Sequence, residues 1–306
     1  MRFTHPVNTL KKLGCGLAFG AAAIMAMPIT ALACTQIYMG SQLTADGNTY
    51  YGRSEDFGPR YIKHFGIEPA HKDGSKYTSV ESGFEYKSKG ATYRYTFVRD
   101  NPSQWEDRYD AYSEAGINEK GVSIAVLTLD SLPTRQNSGK PKINTSLAIR
   151  LVLDRAANTQ EAVDLLGSYD MVAMAGRDYH FFINDASGDS RVVEYDPQNP
   201  ARPMVVTHAR EITNYYACYA NEVLPNQKNG ALGHGKERAL AIAEVLDGAQ
   251  LQTKEVAWKA LRCSSQEPNP EDITSNTQWS IVYDNINCTA DFVLRRNWGE
   301  VFSFVV

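Results

Sequence analysis

No acidic residue occurs before Asp46, although the chain holds 35 of them. Over the same stretch Arg2, Lys11 and Lys12 are the only basic residues, and an apolar run from Leu13 to Met27 follows. That run is rich in Gly and Ala and falls short of the roughly twenty apolar residues a spanning helix needs. The missing length argues against a permanent membrane span. Pro28 and the triplet Ala31-Leu32-Ala33 complete the charged, apolar, small-x-small order of an export signal. Residues 1–33 are therefore expected to be removed after Ala33, leaving residues 34–306 as an exported (periplasmic or extracellular) domain that starts at Cys34.

Other absences narrow the function classes. There is no zinc-type cysteine pair, no P-loop and no dinucleotide glycine fingerprint. His64, His71, His180, His208 and His234 lack metal-ligand spacing, so neither a metal nor a cofactor is expected. No internal repeat or low-complexity linker divides the chain. The signal takes three of the 31 basic residues, so the mature domain carries 28 against 35 acidic, a formal charge of −7. That balance gives no electrostatic case for nucleic acid or an anionic membrane as a partner. A small molecule or short peptide is the expected partner; the oligomeric state stays open, a homo-oligomer included.

Cysteine is scarce. Cys15 leaves with the signal, and Cys34, Cys218, Cys263 and Cys288 remain. An oxidising compartment permits disulfides, and four cysteines allow three full pairings. Cys263 with Cys288 is the expected bridge, with buried unpaired thiols as the alternative.

Hydrophobic patterning supplies the elements. Two strands flank the Ala45-Asp46-Gly47-Asn48 turn, a hairpin signal. "ATYRYTFVRD" alternates as a strand and "GVSIAVLTLD" reads as a buried one. "NTSLAIRLVLDRAANTQEAVDLL" is helical, with Leu147, Leu151 and Val152 on one face and Asn158 and Glu161 as caps of a second helix. "YHFFINDASGDSRVVEY" is a hairpin, Lys236–Leu246 and Lys254–Arg262 are helices, and "WSIVYDNINCTADFVLRR" with "VFSFVV" closes the chain in strands. Runs of strands alternating with runs of helices predict an α+β fold of antiparallel sheets covered by helices.

A thiol at residue one has a base of its own. Its α-amine, with pKa about 7.7–8.0 unperturbed, exchanges a proton at little cost with a thiol near 8.5. The amine thus serves as the base that a nucleophile otherwise borrows from a second side chain. A nearby arginine would populate the thiolate. Backbone N–H groups or an Asn side chain would stabilise the tetrahedral oxyanion. A lipoprotein also begins at cysteine, but its thiol and amine are both consumed by lipid. Lipoprotein signals usually carry Leu three residues before the cysteine, where this chain has Ala31.

"CTQIYMGSQLTADGNTYYGRSEDF" resembles the start of the cysteine-type N-terminal nucleophile (Ntn) hydrolases. That group comprises the dipeptidase A-like family and the choloylglycine hydrolases, which cleave conjugated bile salts or penicillin V. "EAGINEKGVSIAVLTLD" and "INDASGDSRVVEY" are similar to further motifs of the group, and "TQWSIVYDN" is fainter. The resemblance implies a four-layer αββα Ntn-hydrolase sandwich of two antiparallel sheets. It also implies hydrolysis of linear C–N amide bonds through a thioester on Cys34. Cys34 would be nucleophile and base, Arg53 would lower the thiol pKa, and Asp56 would hold the ammonium. The ordinary alternative for Arg53 and Asp56 is a surface or turn salt bridge.

Glu55 favours the dipeptidase branch, which reads Arg-x-Glu-Asp where the choloylglycine branch usually puts an apolar residue before the aspartate. Glu55 is a candidate contact for a dipeptide's ammonium, the alternative being a solvated glutamate at a strand end. Asn214, in "REITNYYACYANEV", matches the family's oxyanion asparagine, with Asn221 as rival. Thr128 stands near the position of the second donor, where a backbone N–H is the alternative. Arg238, in "GKERAL", resembles a further site arginine; the ordinary reading is a helix-surface residue. Phe57, Tyr61, Phe65 and Trp105 are candidates for a substrate mouth, with a core role as default. Many such dipeptidases run longer than this chain, and choloylglycine hydrolases are nearer its size. The expectation is a dipeptidase; a bile-salt or penicillin acylase and a non-catalytic envelope lipoprotein are the alternatives.

Overall fold

A computed structural model describes residues 33–58, 63–79, 82–100, 109–110, 112–226, 229–230, 232–272 and 275–306. The signal segment up to residue 32, Tyr61 and Trp105 lie outside the described residues. Strands β1 (Thr35–Met39) and β2 (Tyr50–Asp56) form the predicted hairpin, with Thr35 opposite Ser54. Gly47 takes φ +74 in the connection, a left-handed conformation that suits glycine. On its other side β2 pairs antiparallel with Thr277–Asp284, followed outward by Thr289–Leu294 and Phe302–Val305. Glu211–Ile212 adds the edge beyond β1, which makes a six-stranded sheet.

The second sheet has seven strands. β3 (Lys63–Glu68) is one edge, followed by Tyr95–Asp100, Ala115–Asn118, Ser123–Leu129, Asp178–Asn184, Ser190–Tyr195 and Met204–His208. The "GVSIAVLTLD" and "YHFFINDASGDSRVVEY" predictions fall on this sheet. Both large sheets are antiparallel throughout.

Five α-helices are described: α1 (Thr145–Arg155), α2 (Thr159–Gly167), α3 (Ala220–Asn226), α4 (Lys236–Asp247) and α5 (Lys254–Ser264). Asn158 caps α2 as predicted, its side chain accepting from the Glu161 amide at 2.9 Å. Three apolar layers show the order of the stack. Ile124, Val126, Phe181 and Ile183 pack on α1 and α2. Tyr38, Tyr51, Phe182, Trp279 and Tyr283 meet between the sheets. Ile37, Met39 and Val282 pack on Leu246, Trp258 and Leu261 of α4 and α5. This is the expected αββα sandwich. Leu147, Leu151 and Val152 do face the core, but α1 is buried from Thr145 to Asp154, more than its predicted face. Arg150 lies fully buried in it, 4.3 Å from the Tyr77 ring and donating to Tyr95 Oη at 2.8 Å.

The alternation of β-strand side chains sorts the candidate residues. On β2, Tyr51 faces the other sheet, so Arg53 and Glu55 do too. Tyr50 faces α5, so Ser54 and Asp56 point to the helix side. The expected Cys263–Cys288 bridge is absent: all four cysteines are free. Cys263 sits on α5 with its thiol donating to Ala260 O at 3.0 Å, whereas Cys288 belongs to the turn after Thr277–Asp284. No described helix is long and apolar enough to cross a membrane.

Candidate active site

Cys34 precedes the first residue of β1 and is 5 % exposed. With Ala33 attached its nitrogen is a peptide amide, and that N–H donates to Asn214 Oδ1 at 2.8 Å. Burial pushes the thiol up to about 12; Arg53 opposes this, Glu55 and Asp56 add to it, and the Asp56 backbone N–H donates to the sulfur and lowers it. The Arg53 guanidinium lies 4.8 Å from the Trp279 ring centroid. It donates to the Glu114 carbonyl at 2.8 Å and to Glu55 Oε2 at 3.1 Å. Arg53 is therefore no surface salt bridge.

Asp56 is fully buried. Burial pushes its carboxyl up to about 7, with Arg238 and a hydrogen bond from Thr277 Oγ1 pulling the other way. Among the described residues its Oδ2 has no hydrogen-bond donor. Expected as the partner of the Cys34 nitrogen, Asp56 does not take the single amide hydrogen, which goes to Asn214.

Asn214 presents its oxygen, not its nitrogen, to Cys34. Two donors fix that orientation: the Cys34 N–H and Arg238 Nη2, at 2.9 Å. Its Nδ2 donates to the Thr128 carbonyl at 2.9 Å and lies 3.4 Å from Thr128 Oγ1. Thr128 thus enters through its backbone carbonyl. The rival Asn221 is exposed on α3.

Arg238 departs from the helix-surface reading. From the first turn of α4 its Nη1 donates to the Cys34 carbonyl and, at 3.0 Å, to Thr35 Oγ1. Gly235 makes room: at φ +91, a Cβ there would stand 2.4 Å from Arg238 Nη2 and 2.6 Å from Thr213 Oγ1. Glu55 departs from the solvated reading: it is 3 % exposed, so it is no solvated strand end. Arg53 and Lys63, at 3.1 and 3.2 Å, engage its carboxylate.

Phe65 stacks on Phe292 at 4.4 Å between ring centroids and is core; Phe57 is half-buried with Lys63 Nζ 5.7 Å from its ring. Sequence reasoning missed Lys63 and Glu114. Glu114 opens the "EAGINEKG" motif, but nothing in the spacing says that it meets β2. Among the described residues no three His, Cys, Asp or Glu side chains group as a metal site would require.

Residues 33–180, which include Cys34, Arg53 and Asp56, match the sequence model of peptidase family C69. The match covers 148 of the 306 residues, a little under half of the chain. The chain is 29 % identical over 176 residues to "Probable dipeptidase B" of Streptococcus pyogenes serotype M1, 52 % of this chain and 34 % of that protein. It is 27 % identical over 239 residues to "Probable dipeptidase" of Latilactobacillus sakei, 74 % of this chain and 47 % of the relative. It therefore spans between a third and a half of the length of these relatives. The structure of a mutant conjugated bile acid hydrolase from Clostridium perfringens superposes with TM-score 0.68 at 17 % identity, over 89 % of this chain and 92 % of the other. Penicillin V acylase from Agrobacterium tumefaciens gives 0.65 at 20 %, over 89 % and 86 %. These likenesses establish the Ntn-hydrolase fold.

Proposed function

We propose that this chain is an exported cysteine hydrolase of small peptides, dipeptides first, whose nucleophile is made by cleavage after Ala33. The carrying observation is the surroundings of Cys34: a buried thiol beside Arg53, its nitrogen already held by Asn214, and a buried Asp56 oxygen with no donor. The dipeptidase names of the relatives support the substrate class.

In the uncut chain the Cys34 nitrogen is an amide and cannot take a proton. Cleavage turns it into an amine that receives the thiol proton, and as an ammonium it has hydrogens for both Asn214 Oδ1 and Asp56 Oδ2. The thiolate adds to the substrate carbonyl carbon, forming the C–S bond and placing charge on oxygen. The second Nδ2 hydrogen of Asn214, facing only Thr128 Oγ1 at 3.4 Å, is a donor for that oxygen. The ammonium returns its proton to the leaving nitrogen as the C–N bond breaks. Water then attacks the thioester, giving one proton to the amine; the C–S bond breaks and the thiol recovers that proton.

The test is the intact mass of the exported protein before and after limiting iodoacetamide, with the label mapped, followed by a panel of dipeptides and of bile-salt and penicillin V amides. A chain starting at Cys34, labelled there first and active on dipeptides, supports the reading. Activity confined to the conjugates selects the acylase, which the neighbouring structures favour. A lipid-sized mass increase on Cys34 removes the nucleophile and leaves a tethered binding module.

A further inference from the structure

Five ionisable side chains converge where the ends of the two sheets meet. Arg53 and Glu55 come from β2, Lys63 from β3, Asp100 from the strand beside β3, and Glu114 immediately precedes the Ala115–Asn118 strand. Lys63 Nζ, 7 % exposed, reaches three of the acids: Glu55 at 3.2 Å, Asp100 at 2.9 Å, and Glu114 Oε1. We propose that Lys63 is a positioning residue for the nucleophile: with Glu55 and the Glu114 backbone carbonyl it forms an ion-paired clamp that fixes the Arg53 guanidinium beside Cys34. This rests on Cys34 being the nucleophile.

Arg53 is gripped at both ends by this cluster, by the Glu114 carbonyl and by Glu55 Oε2. Lys63 Nζ holds Glu55 through Oε1 at 3.2 Å, while Arg53 holds it through Oε2 at 3.1 Å. Burial and the Glu55 charge raise Glu114, while Lys63 and Arg53 overcome burial to lower Glu55. Of the two, Glu114 is the carboxyl that holds a proton more readily.

With that proton in place the cluster contains two cations, Arg53 and Lys63, and two anions, Glu55 and Asp100. It is neutral beside the thiolate. The cavity of about 90 Å³ alongside is lined on its other sides by Tyr112, Thr145, Ser146, Met174 and Tyr179, none of them charged in the neutral range. Removing the Lys63 charge leaves an excess anion that pulls Arg53 away from sulfur. Removing Asp100 does the opposite. Glu114→Gln is isosteric, keeps the backbone carbonyl that holds Arg53, and should change little.

The experiment is the rate of Cys34 alkylation by iodoacetamide against pH on the processed protein, with kcat/KM for a dipeptide measured in parallel. Relative to the parent, Lys63→Met should raise the alkylation midpoint by about one to two pH units, the size of a unit charge removed at close range. Asp100→Asn should lower it by a smaller step, and Glu114→Gln should leave it in place. A loss of fold without an electrostatic role would not give shifts of opposite sign. Asp100 is 23 % exposed and Glu114→Gln is isosteric, so these two decide the matter if Lys63→Met does not fold. Profiles that overlay the parent in Lys63→Met and Asp100→Asn, or an upward shift in Asp100→Asn, overturn the clamp. A parent Cys34 that iodoacetamide never labels overturns the nucleophile reading itself, a different result.

Discussion

Asn214 Oδ1 accepts the Cys34 N–H at 2.8 Å, across 180 residues of sequence. The same oxygen accepts from Arg238 Nη2 at 2.9 Å, so one amide ties the start of β1 to the first turn of α4. On the proposed mechanism Asn214 would hold the future N-terminus in place before cleavage, leaving its nitrogen for Thr128 and the oxyanion.

Arg238 should act on turnover more than on binding. Arg238→Ala releases the Cys34 carbonyl, Thr35 and Asn214 together. A displacement of about 1 Å at the nucleophile costs on the order of 100-fold in kcat, with KM for dipeptides within about threefold. Arg238→Lys should recover little, because one ammonium cannot reproduce the planar fork. Steady-state kinetics on the processed protein decide; a KM effect with unchanged kcat would assign Arg238 to substrate binding.

Glu55→Gln should reduce stability while leaving KM for dipeptides unchanged. It removes the charge that both Arg53 and Lys63 face in a buried setting, where breaking such a pair costs about 3–5 kcal/mol. Urea unfolding measures the first effect and Michaelis kinetics the second. A several-fold rise in KM at unchanged stability would return Glu55 to the substrate.

Asp56 makes the uncut chain pH-sensitive in a defined direction. Its carboxyl is pushed up to about 7 on folding, against about 3.9 in an unfolded chain. The folded state binds the proton more tightly, so this contribution is fully present below pH ~4 and is lost as pH rises to about 7. Asp56→Asn should erase it. The stability difference between parent and variant should change by roughly 2–4 kcal/mol over that window, measured by denaturant unfolding of uncleaved protein. A constant difference from pH 4 to 8 would show that Asp56 keeps an ordinary carboxylate pKa.

The sequence by itself determined which elements form, because local periodicity and capping decide them: the β1–β2 hairpin, α1 and α2 with the Asn158 cap, the 178–195 hairpin and the pair α4 and α5. It also singled out Cys34, Arg53 and Asp56, which lie within 23 residues of one another, just before β1 and on β2, and are brought together by one hairpin. Residues that meet them from distant elements were the ones misread or missed. Arg238 looked like a helix-surface residue because the space that Gly235 opens toward Thr213 and Cys34 exists only after packing. Glu55 looked available because its partner Lys63 arrives from the other sheet, and Glu114 had no local signal at all. Burial and pairing depend on which two sheets face each other. Tertiary structure decided them, since the cost of an unpaired buried charge is incurred only once water is excluded.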